Sequence, residues 1–254
     1  MAKLLRKPAA LGSTEPVTSL SDFLSKVDTL KTKQEDAGNK ADFLFRGQGC
    51  DMHLLPHIAR PNITHGEETF EKLVLEEFKR TSVPYVQILP SSDWDWLALA
   101  QHHGLPTRLL DWTYSALTAL WFAVERDCVQ PEKGVVWLFQ TQADDFIEPS
   151  IESSPFTINR TRILRPRVIA ERINAQLGVF TCHLRQSDGS FVPLERNKNY
   201  RERLLKFTIA PGLFDSIRAQ LFACGVNRAT LFPGLDGLAA HLKSRYLTRR
   251  RNAL

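Results

Sequence analysis

The stretch LALAQHHGLPTRLLDWTYSALTALWFAVE, residues 97 to 125, sets Gln101, His102, His103, Arg108, Asp111 and Thr113 between two segments apolar enough to be buried. Just before and within it, Trp94, Leu97, Ala98 and Gln101 recur at i, i+3, i+4 and i+7. Trp96, Leu99, Ala100 and His103 repeat that spacing one face over, which predicts an interior helix. Gly104 supplies a left-handed stop and Pro106 prevents continuation, so the helix ends at the two histidines. Thr107 to Asp111 then reads as a short connector or strand that delivers Arg108 and Asp111 beside that helix end. Thr113 is the expected cap of a second helix, apolar all round from Ala116 to Val124, with Ser115 in its first turn. Free N–H groups and the positive dipole end there favour an anion such as phosphate. Two structural readings compete: a buried Arg108–Asp111 ion pair, and histidines 102 and 103 simply solvated at a helix end.

Outside this stretch, the most informative segment is Asp42-Phe43-Leu44-Phe45-Arg46-Gly47-Gln48, an apolar strand ending in Arg-Gly. Five guanidinium donors at the end of a buried strand need a carboxylate, carbonyls or a phosphate, and Gly47 lets a backbone or ligand approach closely. Arg46 is therefore a candidate binding residue, with a structural ion pair as its alternative.

The remaining elements follow from periodicity and punctuation. Residues 1 to about 17 are expected to be disordered or added for expression, followed by a helix with Leu20, Phe23, Leu24, Val27 and Leu30 on one stripe and Thr18 or Ser19 as cap. Lys31 to Lys40 reads as a loop or a frayed helix end, and Met52 to Asn62 as an irregular loop broken by Pro56 and Pro61. A helix from Glu67 to Arg80 would turn Phe70, Leu73, Val74 and Phe78 inward. Val135 to Phe139, apolar throughout, fits a central strand. Asp144 to Arg167 is long enough for a functional loop. Val168 to Gln176 resembles a short helix, leading into strands at Gly178 to His183 and Leu204 to Ile209. An amphipathic helix from Leu213 to Cys224 buries Phe214, Ile217 and Leu221; Ala229 to Phe232 reads as a last strand, and a short helix follows Pro233-Gly234. Helices and strands alternate irregularly, which predicts one mixed α+β domain, a small central sheet flanked by helices, over residues 18–243 with a basic tail at 244–254.

Composition narrows the function classes. With 43% hydrophobic and 24% charged residues the chain can bury a sizeable core, and no apolar run reaches the ~20 residues of a membrane span. No signal peptide is recognisable, so the expected location is the cytoplasm, with no membrane partner. The four cysteines form no C-x-x-C pair, which leaves reduced buried thiols as the default, and Pro56 between His53 and His57 argues against metal ligation there. The net charge of +5 is moderate. Part of it lies in Arg245, Arg249, Arg250 and Arg251, a tail suited to phosphate contacts or to solvation, and no RNA-recognition motif, zinc finger or Walker loop is visible.

FLFRGQ at 43–48, AQHHGLPTRLLDWT at 100–113 with the following ALTALWFA, and RINAQLGVFT at 172–181 together resemble the FRG domain family, whose name is spelled here by Phe45, Arg46 and Gly47. A second resemblance is to the mono-ADP-ribosyltransferase fold, in which an early strand carries an arginine or histidine that grips NAD, a middle strand ends in Ser/Thr before a helix, and a late acidic residue completes the site. That resemblance implies Arg46 and Glu171 as catalytic residues, and Gly47, Gln101, His102, Arg108, Asp111, Thr113, Ser115 and Gln176 with Arg46 around NAD as substrate, with no metal. The Glu-x-Glu or Gln-x-Glu of the arginine-modifying enzymes is absent; Glu171, Glu195 and Asp236 are the substitutes, in that order. The implied function is a toxin or defence effector that ADP-ribosylates a protein or nucleic acid. The alternative is a catalytically silent nucleotide or nucleic-acid binding module using the same anion pocket.

Overall fold

A computed structural model describes residues 14–36, 38, 42–60, 68–125, 133–148, 152–167 and 175–247. Seven strands form one sheet in the order β1-β7-β4-β2-β3-β6-β5: β1 Thr14–Val17, β2 Phe43–Gln48, β3 Leu109–Thr113, β4 Gly134–Gln140, β5 Arg162–Leu164, β6 Gly178–Cys182 and β7 Leu204–Ile209. Only β1 and β7 run parallel; every other pair is antiparallel. The single α+β domain expected from the sequence is thus present, with a larger sheet than expected. Part of the increase comes from Thr14–Val17, which lies in the segment read as disordered but pairs with Lys206–Ile209 as an edge strand. The remainder comes from Arg162–Leu164, a strand inside the long loop between residues 144 and 167.

Period-two alternation gives each strand two buried faces. On one, Phe43, Phe45, Val136, Leu138, Leu205, Phe207 and Ile209 pack under three helices, α1 Leu20–Asp36, α4 Ala116–Val124 and α5 Phe214–Ala223. Gly47 is required here: a Cβ on it would lie 1.8 Å from the Ala119 carbonyl oxygen, so α4 rests directly on β2. On the other face, Leu44, Leu110, Trp112, Val135, Trp137, Phe139 and Val179 are covered by irregular chain carrying Leu54, Leu194 and Tyr200. A third cluster joins α2 Glu68–Ser82 and α3 Asp93–His102 to the far ends of β3 and β6 through Leu75, Trp94, Leu97, Leu109, Phe180 and Cys182.

Several expectations hold in detail. α3 is buried from Trp94 to Ala100, capped by the Ser92 hydroxyl, which accepts the Asp95 N–H, and Gly104 takes φ +90°. β4 is buried at all seven positions, and Phe214, Ile217 and Leu221 are the buried residues of α5. α1 runs on to Asp36, through part of the segment read as a loop or a frayed helix end. Others need correction. α2 turns Glu71, Leu75 and Phe78 inward while Phe70 and Leu73 are exposed, because Glu71 must meet the buried Arg108 just before β3. Residues 229–231 are helical, within α6 Arg228–Leu231, rather than the start of a strand: the Asn227 side chain accepts the Ala229 and Thr230 N–H groups while the Asn227 N–H reaches the Thr230 hydroxyl, a reciprocal cap that nucleates a turn. α7, Leu235–Leu242, follows. The expected helix at Val168 to Gln176 lies outside the described residues except at its end. Of the thiols, Cys182 is buried, Cys50 half-buried and Cys224 exposed at the end of α5. Among the described residues no helix is long and apolar enough to cross a membrane.

Candidate functional site

β2 and β3 are neighbours at the centre of the sheet, yet they pair only at Phe45 and Thr113. Beyond that point they part, and the Arg46 side chain takes over: its Nη1 donates to the Asp111 carbonyl oxygen at 2.7 Å and lies 3.6 Å from the Asp111 carboxylate. A side chain thus replaces a ladder hydrogen bond and spans the opening. Arg46 is 15% exposed and Asp111 60%, so the cleft runs from a buried cation to an open carboxylate rim. Gln101, at the end of α3, completes the rim. Its Oε1 accepts the Thr107 hydroxyl at 2.7 Å, which turns its Nε2 toward Asp111 at 3.3 Å. The short 3₁₀ turn His57–Ala59 is tied to the residues just before β3, with the Ile58 N–H on the Thr107 carbonyl and Arg60 next in the chain.

Burial is the main influence pulling the Arg46 guanidinium below its ordinary pKa; the Asp111 carboxylate opposes it, and the like charge of Arg60 adds to it. An arginine remains protonated regardless, so the consequence is a strong demand for negative charge. Its Nε is buried without a hydrogen-bond partner.

The other sequence candidates divide by position. Arg108 is 1% exposed, bonds Glu71 at 2.9 Å and the Pro155 carbonyl at 3.2 Å, and lies over the Phe156 ring at 4.8 Å. It is an interior ion-pair member facing α2, and Glu71 rather than Asp111 is its partner. Thr113 ends β3 and does not cap α4. Its hydroxyl donates to the Gln176 carbonyl and accepts the Ser115 N–H, and the Ser115 hydroxyl is the true cap, accepting from Thr118. That spends two of the expected anion-site groups on local structure. Gln176 sends its amide to the Leu231 carbonyl at 2.9 Å. His102 is half-buried at the end of α3 with its ring against His103, and Gly47 packs beneath α4 on the opposite face from Arg46. Glu171 lies outside the described residues. Glu195 accepts from the Leu54 N–H and holds His53 Nδ1 at 2.6 Å, fixing the loop after β2.

Sequence reading missed two groups. Gln48 shares a strand face with Arg46 by simple alternation, is 4% exposed, and its Oε1 accepts the Trp137 indole N–H at 3.2 Å. The second is the chain Trp112, Thr181, His183. An indole N–H only donates, so the Thr181 oxygen accepts it at 3.1 Å, and the same oxygen lies 3.1 Å from His183 Nε2. Burial pulls the His183 pKa down to about 3, the Val192 carbonyl opposing and Arg46 assisting. No alternation signal distinguishes a buried histidine of this kind from an ordinary strand residue.

A separate shallow groove of about 540 Å³ between α1 and the start of α4, lined by residues including Lys31, Phe45 and Tyr114, lies on the helical side of the sheet. It does not include Arg46. Among the described residues no group of three or more His, Cys, Asp or Glu is arranged to hold a metal ion.

Comparison with known proteins gives one match: residues 41–132 fit the family model of the FRG domain. No curated protein and no solved structure matches the chain. The matched segment holds β2, α2, α3, β3 and α4, and with them Arg46, Gln101 and Asp111. Over residues 41–132 the chain is therefore similar to the FRG domain, and that matched segment supplies both β2 and β3.

Proposed function

We propose that the chain binds a nucleotide of the NAD class in the opening between β2 and β3, and acts as an ADP-ribosyltransferase-like effector on a protein or nucleic acid. The observation that carries this reading is Arg46: a buried guanidinium at the point where two central strands part, with one donor unpartnered and a single ion-pair carboxylate beside it among the described residues. An anionic ligand satisfies both its charge and its geometry. The fit extends to the rim, where Asp111 accepts and the Gln101 amide donates, a pairing suited to sugar hydroxyls or a carboxamide. Arg108 is not part of this proposal because it is 1% exposed and faces Glu71, and Thr113 and Ser115 are held by local contacts.

NAD supplies a nicotinamide–ribose bond whose cleavage passes ADP-ribose to a nucleophile on the target and releases nicotinamide. The protein's task is to hold the phosphates and to place a carboxylate where positive charge grows on the ribose. Glu171 is assigned that role from the sequence. The segment after it enters β6, which pairs with β3 from Gly178 opposite Thr113. A catalytically silent nucleotide-binding module is the second reading, favoured by one observation: Gln176, a candidate NAD-binding residue by the sequence, is turned away to Leu231.

Titration calorimetry with NAD, paired with transfer of label from NAD to a cell extract, tests the proposal. Arg46→Ala should lose NAD binding while remaining folded. Glu171→Gln should keep binding and lose transfer, because its carboxylate matters most in the transition state. Binding without label transfer or nicotinamide release in the wild type selects the silent module. Absence of NAD binding by the wild type overturns both readings.

A further inference from the structure

Gln48 follows Arg46 by two positions on β2, so both side chains leave the same face about 7 Å apart. The Trp137 indole N–H fixes the Gln48 amide, since only the oxygen end can accept it. Its Nε2 then points away from Trp137, buried and without a partner, as Arg46 Nε is. Among the described residues seven buried side-chain polar atoms lack a hydrogen-bond partner, and these two lie on one face of one strand. Both are donors, so whatever satisfies them brings acceptor oxygens. Arg60, directly after the turn tied to Thr107, stands near enough for its charge to act on Arg46. Asp111, 60% exposed and 3.6 Å away, offsets only one of these two cations. Resting on the nucleotide reading above, we infer that Arg46, Gln48 and Arg60 form a diphosphate subsite within the cleft.

The subsite gives each residue a separate task. Arg46 and Arg60 supply charge, and the Gln48 amide supplies a neutral donor that fixes the orientation of one phosphate. Trp137 is a built-in reporter. It pairs in register with Arg46 on one side and with Lys206 on the other, and the Lys206 ammonium lies 5.0 Å from its ring centroid. An anion bound at Gln48 alters the field on that indole directly.

The test uses the full chain with three probes: ADP-ribose, inorganic pyrophosphate and adenosine. Binding is read by calorimetry and by tryptophan fluorescence, with Trp137→Phe identifying the Trp137 contribution. ADP-ribose and pyrophosphate should bind, with adenosine at least tenfold weaker. Gln48→Glu, which keeps the shape and replaces the donor with a charged acceptor, should weaken both anions at least tenfold, and so should Arg60→Ala. Should Gln48→Glu fail to fold, Arg60→Ala, altering a half-buried turn residue, decides alone. ADP-ribose binding that these variants change less than twofold overturns the diphosphate subsite and leaves the nucleotide reading standing, the orphan donors then being served by water. Pyrophosphate binding that the variants abolish, with ADP-ribose binding no tighter than pyrophosphate, supports the subsite and overturns the nucleotide reading. No binding of either anion overturns both.

Discussion

His183 shows how much one buried residue is constrained by its neighbours. Trp112 donates to the Thr181 oxygen, that oxygen meets His183 Nε2, and burial keeps the imidazole neutral inside the sheet. The folded-state pKa of about 3 lies below the ordinary 6.5, so the unfolded chain binds more protons in the interval between them. The stability contributed by the neutral ring is complete above about pH 6.5 and falls as pH drops toward 3. By about pH 4.5 the loss should be roughly 2–3 kcal/mol. Urea unfolding at pH 7 and 4.5 checks this. His183→Gln should be less stable at pH 7 yet show a flatter acid dependence, and an unchanged slope would mean that His183 is protonated in the fold. Arg46 and Arg108 make the complementary point. One lies within β2 and the other just before β3, yet Arg46 faces a half-open cleft and Arg108 is closed off by Glu71, Pro155 and Phe156.

Among elements, β2 and α4 are the tightest pair. Gly47 lies under the Ala119 carbonyl with no room for a methyl group, and the clash is with backbone, which cannot rotate aside. Gly47→Ala should therefore destabilise by about 3 kcal/mol, the upper end of ordinary overpacking, measured as a shift in the chemical unfolding midpoint. The same displacement would move Arg46, so ligand binding should fall with stability. An element such as α2 shows the limit of periodicity. Its apolar residues at 70, 73, 74 and 78 describe a helical stripe, but the buried stripe is Glu71, Leu75 and Phe78, since a buried guanidinium just before β3 outweighs the exposure of Phe70 and Leu73. At 229–231, three residues of strand-like composition became a helical turn because the Asn227 and Thr230 side chains serve the free N–H groups.

At the scale of the whole molecule, the segment that carries the family motif is not a folding unit by itself. Residues 41–132 contain β2 and β3, which pair with each other at one position only, while their extended partners are β4 and β6. Expressed alone, 41–132 should give the far-UV spectrum and hydrogen exchange of an unfolded chain, and the full chain should unfold in one transition. A folded, protected fragment would contradict this arrangement. β1 and β7 enforce the same conclusion, since they bring residues 14–17 beside 206–209.

The sequence by itself determined the elements whose hydrophobic period is continuous: α3 between Ser92 and Gly104, α4, β2, β4 and β7, together with the single mixed domain and the prominence of Arg46. These depend on local spacing and on turn residues, which are fully present in the chain. Only the tertiary structure decided that Arg46 meets Asp111, that Arg108 belongs to Glu71, that Ser115 rather than Thr113 caps α4, and that Gln48 is an orphan donor beside Arg46. Each of these depends on which groups, distant in sequence, share a low-dielectric interior where every buried donor and charge must find a counterpart, and residue spacing carries no record of that pairing.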